Sequence, residues 1–262
     1  MKFTLLGCGT STGVPLPGCS CDVCSSGNPK NHRDRTSACI TLDDGRVILI
    51  DAGPDLRYQA LKHNVQRVDS VFFTHAHADH ILGTDDLRSF NFASKKRISC
   101  YGSDETLTPI TEAFSYIFNP RPGYAGGMLA QLDPHRISND GLAEIEGISF
   151  TFFPLIHGDL TVTGFRVGNL GYATDFNEMP ERALQVLEGV DYLFIDGLRY
   201  EPHNTHITIP QAVELAQKIK ARQSYIIHTT HTIDYDETNA KLPAGIELGY
   251  DGLTVMFSGG RA

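Results

Sequence analysis

The sequence has no apolar run of membrane-spanning length. Val47-Ile48-Leu49-Ile50 and Val71-Phe72-Phe73 are short enough to be buried strands. Basic residues are also scarce, with 22 Lys and Arg against 31 Asp and Glu, a net charge of −9. Phosphate backbones and anionic membranes are held by clustered Lys and Arg, so neither general nucleic-acid binding nor membrane binding is expected. Internal repeats, low-complexity tracts and obvious linkers are missing too. The opening Met1-Lys2-Phe3-Thr4-Leu5-Leu6-Gly7 lacks the long apolar segment and cleavage site of an export signal, which makes the cytoplasm the expected location.

What is present looks like an ordinary globular chain of 262 residues, 41% of them apolar. At roughly 150 residues per domain this allows one or two domains, with a core large enough to need no disulfides. Without a linker, 1–262 reads as a single domain. Short β-branched or aromatic runs predict strands over 3–6, 38–42, 47–50, 71–73, 98–101, 148–153, 192–195, 224–227 and 253–257. Helices are expected over 104–118, 180–187 and 210–220, the last with apolar Ala212, Val213, Leu215, Ala216 and Ile219 near one face. Strands interleaved with helices indicate a layered α/β fold. The stretch 119–140, rich in Pro and Gly, reads as one long loop, and 258–262 as a frayed tail.

Two residue types depart from the ordinary: there are 11 His and 6 Cys, and both are clustered. Thr74-His75-Ala76-His77-Ala78-Asp79-His80 follows a predicted strand directly. If extended backbone continues through His77, His75 and His77 point to the same side, because strand side chains repeat every two residues. A turn must follow, bringing Asp79 and His80 in from another direction. Imidazoles and a carboxylate at this density suit zinc, manganese or iron. A polar loop with chance histidines would explain one exposed His, but not four ligand types at the end of a buried strand. His157, Asp175 and His228 each follow a further apolar run. Alone, each could be a capping or rim residue. Together they supply what the first cluster lacks, including a carboxylate able to bridge two metals.

This order, His75-x-His77-x-Asp79-His80 and then His157, Asp175 and His228, resembles the metallo-β-lactamase superfamily, as does Asp51 in Leu49-Ile50-Asp51-Ala52-Gly53. The resemblance implies an αββα sandwich of two mixed β-sheets flanked by helices. It implies one divalent ion on His75, His77 and His157, and a second on Asp79, His80 and His228. Asp175 would bridge them, and Asp51 would orient a ligand imidazole. Two divalent ions bring +4 and the two aspartates −2. Such a pocket lowers the pKa of a bridging water and neutralises an anionic substrate.

Gly18-Cys19-Ser20-Cys21-Asp22-Val23-Cys24 has C-x-C-x2-C spacing, and His231 lies three residues after His228. Cys19, Cys21, Cys24 and His231 form a closed Cys3His set, expected to hold one structural zinc. A reduced core thiol trio is the bland alternative. With the opening Leu6-Gly7-Cys8-Gly9-Thr10-Ser11-Thr12-Gly13-Val14-Pro15, this pattern resembles the PhnP branch, whose members open a cyclic phosphodiester. The segments 85–91 and 124–127 fit a broader PhnP-like group of hydrolases. In that family a further His assists the leaving group. His206 in Asn204-Thr205-His206-Ile207-Thr208 is the best match, and Asp79 is placed with it at the chemistry. His203 reads as an exposed loop residue.

The expected function is therefore metal-dependent hydrolysis of a small phosphodiester, cyclic ones included, by hydroxide at two divalent ions (Zn or Mn, with Fe a further candidate). Alternatives on the same fold are a lactone or thioester hydrolase, a tRNA-processing nuclease, or a non-catalytic metal-binding module. A homodimer is expected only from the commonness of two-fold assemblies. Cys8, Cys39 and Cys100 read as buried thiols, and Arg33 and Arg35 as surface charges. His32, His63 and His135 take no role.

Overall fold

Alternation along the strands divides the apolar residues among three cores, and those three cores define the layers. The computed structural model describes residues 1–124 and 126–259. Its strands are β1 (Lys2–Gly7), β2 (Ser37–Thr41), β3 (Val47–Ile50), β4 (Ser70–Phe72), β5 (Ile98–Gly102), β6 (Leu132–Arg136) and β7 (Gly141–Ile145). They continue with β8 (Ile148–His157), β9 (Leu160–Val167), β10 (Leu170–Ala173), β11 (Tyr192–Asp196), β12 (Gln223–Ile227), β13 (Ile246–Leu248) and β14 (Thr254–Met256). The helices are α1 (Leu56–Lys62), α2 (Ala78–Ile81), α3 (Arg88–Ser94), α4 (Asp104–Ala113), α5 (Ser115–Phe118), α6 (Glu181–Leu187), α7 (Ile209–Ile219) and α8 (Tyr235–Asn239).

Two seven-stranded sheets run β14-β1-β2-β3-β4-β5-β6 and β13-β12-β11-β10-β9-β8-β7. Each is mixed. The first is antiparallel through β14, β1, β2 and β3 and parallel from β3 to β6. The second is antiparallel from β7 to β10 and parallel from β10 to β13. Between the sheets lie Ile48, Ile50, Phe72, Phe152, Phe165 and Phe194. Their chain neighbours Leu49, Val71 and Phe73 face the helices over the first sheet. Phe153, Leu193 and Ile195 face those over the second. This period of two is why the short runs are fully apolar: each strand is covered on both faces. Burying each such side chain contributes about 1.5–3 kcal/mol. The layers are helix, sheet, sheet, helix, as the αββα expectation has it.

The helix expected over 210–220 forms as α7, started by Thr208 in a capping box with Gln211 and ended by Lys220 in left-handed conformation. Two expectations need correction. The helix expected over 104–118 is two helices, because Phe114 leaves helical backbone at φ −105° and ψ 37°. Ile110, Phe114 and Ile117 thereby all reach the same core. The stretch 119–140 is not one loop either. It contains β6, paired parallel to β5 at the sheet edge. Pro134 within it disguises the strand, and an edge is where a residue lacking N–H is tolerated. Of the expected frayed tail, 260–262 lie outside the described residues.

Candidate metal centre

The parallel strands of both sheets end at one place, and their ends carry the chemistry. Asp51 follows β3, His75 and His77 follow β4, His157 closes β8, Asp175 follows β10, Asp196 closes β11 and His228 follows β12. Open α/β sheets gather ligands at the carboxyl ends of their strands for the same reason: loops there can turn inward without crossing the core. Asp51, Asp175 and His228 sit at φ of 60°, 55° and 63°, a region L-residues occupy at a cost of about 1–3 kcal/mol each. The turn expected after His77 is present, since His77 precedes the first residue of α2 and the helix carries Asp79 and His80 inward.

Ligand-type atoms of His75, His77 and His157 lie within 4.8 Å of one another, as do those of Asp79, His80, Asp175 and His228. Asp175 joins the two groups. Its Oδ2 is 3.5 Å from His75 Nε2 and 3.0 Å from His80 Nε2, and its Oδ1 is 3.3 Å from His228 Nε2. Behind this cluster a second set of groups fixes the rings. Asp51 Oδ2 accepts from His80 Nδ1 at 2.7 Å, while Thr74 donates its backbone N–H and hydroxyl to the same carboxylate. His157 Nδ1 donates to the Thr205 carbonyl at 2.7 Å. Both contacts leave Nε2 facing the centre.

Burial, with His80 beside it, holds the His75 pKa well below the usual histidine value; burial also lowers His77 and His157. Neutral imidazoles are the form that binds metal. Burial opposes charge on His80 and His228 as well, but there the aspartates outweigh it. Asp175 and Asp51 hold His80 well above its ordinary value, and Asp175 with Asp79 raises His228 to about 9. The same pairs hold Asp79 and Asp175 ionised against burial, each well below the carboxylate range. The centre is thus a buried pair of carboxylates demanding positive charge. Nε2 of His75, His80 and His228 is buried and, for all its closeness to the aspartates, makes no well-aligned hydrogen bond among the described residues, as expected of atoms reserved for a ligand. The donor set fits two divalent ions.

A second four-residue set lies apart from this one. Cys19 and Cys21 Sγ are 3.4 and 3.5 Å from His231 Nδ1, and Cys24 completes a group within 4.8 Å. Backbone N–H groups point at the sulfurs, from Leu16 to Cys24 and from Cys24 to Cys21. The Cys24 N–H and His231 pull the Cys21 thiol down to about 6. Thiolate character and four protein donors suit a tetrahedral zinc.

His206 is brought to the cluster: its ring stacks on His228 at 4.8 Å and meets His157 edge-on at 4.8 Å. Its Nδ1 lies 3.1 Å from Asp196 Oδ2, and Asp196 Oδ1 is 3.8 Å from His228 Nδ1. Sequence reasoning missed Asp196. Its signal was available, for it ends a predicted strand as Asp51 and Asp175 do. Beside His206 opens a pocket of about 350 Å³ lined by Asn177, Tyr200, His203, Asn204, Thr208 and Gln211. His203 borders that pocket rather than the metal cluster. Cys8, Cys39 and Cys100 are buried, as expected, and Arg35 is half-buried on Asp55 at 2.9 Å. Arg33 corrects its expectation: it is 1% exposed, and all its nitrogens donate to neighbouring chain segments.

Comparison with known proteins agrees with this geometry. The family model of the beta-lactamase superfamily domain matches residues 46–229, and the chain belongs to that superfamily. A crystal structure of a diphosphatase from the PhnP family is 39% identical, covers 98% of both chains and superposes with a TM-score of 0.90. Within the superfamily, then, this is a PhnP-like metallo-β-lactamase protein. A curated octanoyltransferase of Porphyromonas gingivalis is 36% identical over 98% of this chain, but the chain spans only 51% of that protein. Zn(2+)-bound PqqB from Methylobacterium extorquens, 20% identical with full coverage of its chain and 98% of this one, shares the fold with a TM-score of 0.77. Among the described residues no helix is long and apolar enough to cross a membrane.

Proposed function

We propose that this chain is a metal-dependent phosphodiesterase for a small, and in some substrates cyclic, phosphodiester. His75, His77 and His157 would hold one divalent ion, Asp79, His80 and His228 the other, with Asp175 between them. When bound, such a pair supplies Lewis acidity for a phosphoryl oxygen and an activated water. Cys19, Cys21, Cys24 and His231 would hold a structural zinc.

The observation that carries the reading is the place of His206. Its ring lies against a ligand from each group, and Asp196 fixes its Nδ1. Nε2 is thereby left to donate a proton to a leaving alkoxide. Asp196, itself buried, holds the ring in this orientation. The pocket beside His206 accommodates the leaving group. It has no Lys or Arg in its lining, so it places no demand for a polyanion there. The partner proposed is accordingly a small diester, with no nucleic acid and no membrane.

The diphosphatase relative favours one second reading, cleavage of a phosphoanhydride by the same attack at phosphorus. Its leaving phosphate needs less help from an acid. His206→Ala separates the two. Turnover of an alkyl or ribosyl phosphodiester should fall about 10²–10⁴-fold, with bis(p-nitrophenyl) phosphate much less affected. Full alkyl-diester activity in the metal-loaded variant would overturn the acid role. A parent active on diphosphates, lactones or thioesters but on no diester would overturn the phosphodiesterase reading.

A further inference from the structure

His228 and His231 belong to different candidate metal sites yet are separated by only two residues. A single buried side chain grips the segment that carries both. Arg33 Nη1 donates to Thr229 Oγ1 at 2.9 Å and to the Thr230 carbonyl at 3.0 Å. Nη2 donates to the Ile233 carbonyl and to Asn31 Oδ1 at 3.0 Å, and Nε reaches the Lys30 carbonyl at 3.3 Å. Asn31 extends the grip, donating to Asp234 at 2.7 Å and accepting from the Tyr235 N–H at 2.8 Å.

A guanidinium in this position is costly. It is 1% exposed, and burial lowers its pKa. No carboxylate lies within ion-pair distance of it among the described residues, and its acceptors are carbonyls, a hydroxyl and an amide. Loop anchoring alone could be met by backbone pairing, which is already present. Thr229 N–H donates to the Cys8 carbonyl, and the Thr10 N–H donates to the Thr229 carbonyl. What the guanidinium adds is a fixed fork that holds side chain and backbone at 229, 230 and 233 together. Immediately before this grip, His228 is held at φ 63°, a conformation that relaxes unless its surroundings over-determine it. The Arg33 backbone exchanges two hydrogen bonds with Val14, at the root of the loop that carries the cysteines.

We propose that Arg33 is a positioning residue: it locks the turn after His228, so that the cysteine site and the candidate binuclear centre share one rigid frame. The inference rests on the reading of His228 as a metal ligand. His228 Nε2 must meet Asp175 and Asp79 from its strained turn, and without the fork it loses that aim. The cysteine loop, held by its own four ligands, keeps its metal.

The test uses Co(II) alone as probe, titrated into metal-free protein. Thiolate-to-cobalt absorption in the near ultraviolet, with the intense long-wavelength ligand-field bands of tetrahedral thiolate-bound cobalt, reports the cysteine site. The weaker, shorter-wavelength visible bands that persist in a Cys21→Ser background report the histidine and carboxylate centre. Arg33→Met and Thr229→Val should leave the thiolate signal intact and weaken cobalt binding at the histidine centre, at least tenfold for Arg33→Met. Arg33→Lys should recover little, since one ammonium cannot span the fork's acceptors. Parental affinity and visible bands in the variants, with only a lowered melting temperature, would overturn the proposal. So would loss of the thiolate signal instead. If Arg33→Met fails to fold, Thr229→Val decides by the same criteria. A parent without the shorter-wavelength bands would overturn the metal-centre reading and this inference with it; parental shorter-wavelength bands that the substitutions do not alter would overturn this inference alone.

Discussion

Around the cluster, the residues that touch the ligands matter nearly as much as the ligands. Asp51 takes the His80 ring N–H and two donors from Thr74, so it sets where His80 Nε2 points. Asp51→Ala is expected to lower metal affinity at the Asp79/His80/His228 side about 10–100-fold, measured by competition with a chelator. Parental affinity would contradict that role. His228 gives a pH dependence. Against burial, Asp175 and Asp79 raise it to about 9, so near neutrality it carries a proton that a metal must displace. Affinity should therefore rise with pH through neutrality towards pH 9, by about tenfold per unit for each proton displaced. A flat affinity across this range, read by titration in several buffers, would contradict the assignment. The ligands themselves were legible because His75, His77, Asp79 and His80 crowd into six residues and the rest follow in a recognisable order. Thr205 was not singled out and Arg33 was read as a surface charge, because their partners are brought by distant strands; Asp196 was passed over although it ends a predicted strand as Asp51 and Asp175 do.

At the scale of elements, the strand-end turns and the short helix α2 form one unit. A Cβ on Gly53 would lie 2.1 Å from the Asp79 carbonyl oxygen, and one on Gly83 would lie 2.0 Å from the Gly53 carbonyl oxygen. These contacts are with backbone, so α2 itself would have to move. Gly53→Ala is expected to cost about 1–3 kcal/mol and to weaken metal binding. Gly27→Ala meets open space and should change stability by less than about 1 kcal/mol. Chemical denaturation of both variants checks the pair; equal effects would contradict the close packing of β3 and α2. Strands with strong apolar runs, such as β3, β4 and β11, were readable. Edge strand β6 was hidden by Pro134 and its charged neighbours, and β9 by threonines that alternate with its core residues. The break at Phe114 was hidden because its residues suit helix and only the shared core sets the bend.

Across the whole molecule, two mixed sheets bring their parallel strand ends to one edge, and a buried pair of carboxylates collects five imidazoles there. The sandwich follows from the doubly covered strands, and so was foreseeable from apolar runs combined with the resemblance. The meeting of the cysteine loop and the last ligand strand around Arg33 is a property of the assembled fold alone. The central claim is that this edge holds a binuclear centre separate from a structural zinc. Metal content per chain, measured on protein purified without added metal, tests it most directly beside His77→Ala and Cys21→Ser. Three metals are predicted, falling by one or two in His77→Ala and by one zinc in Cys21→Ser. One metal, lost only on changing Cys21, with a histidine cluster that added Zn or Mn still fails to fill, would contradict the account.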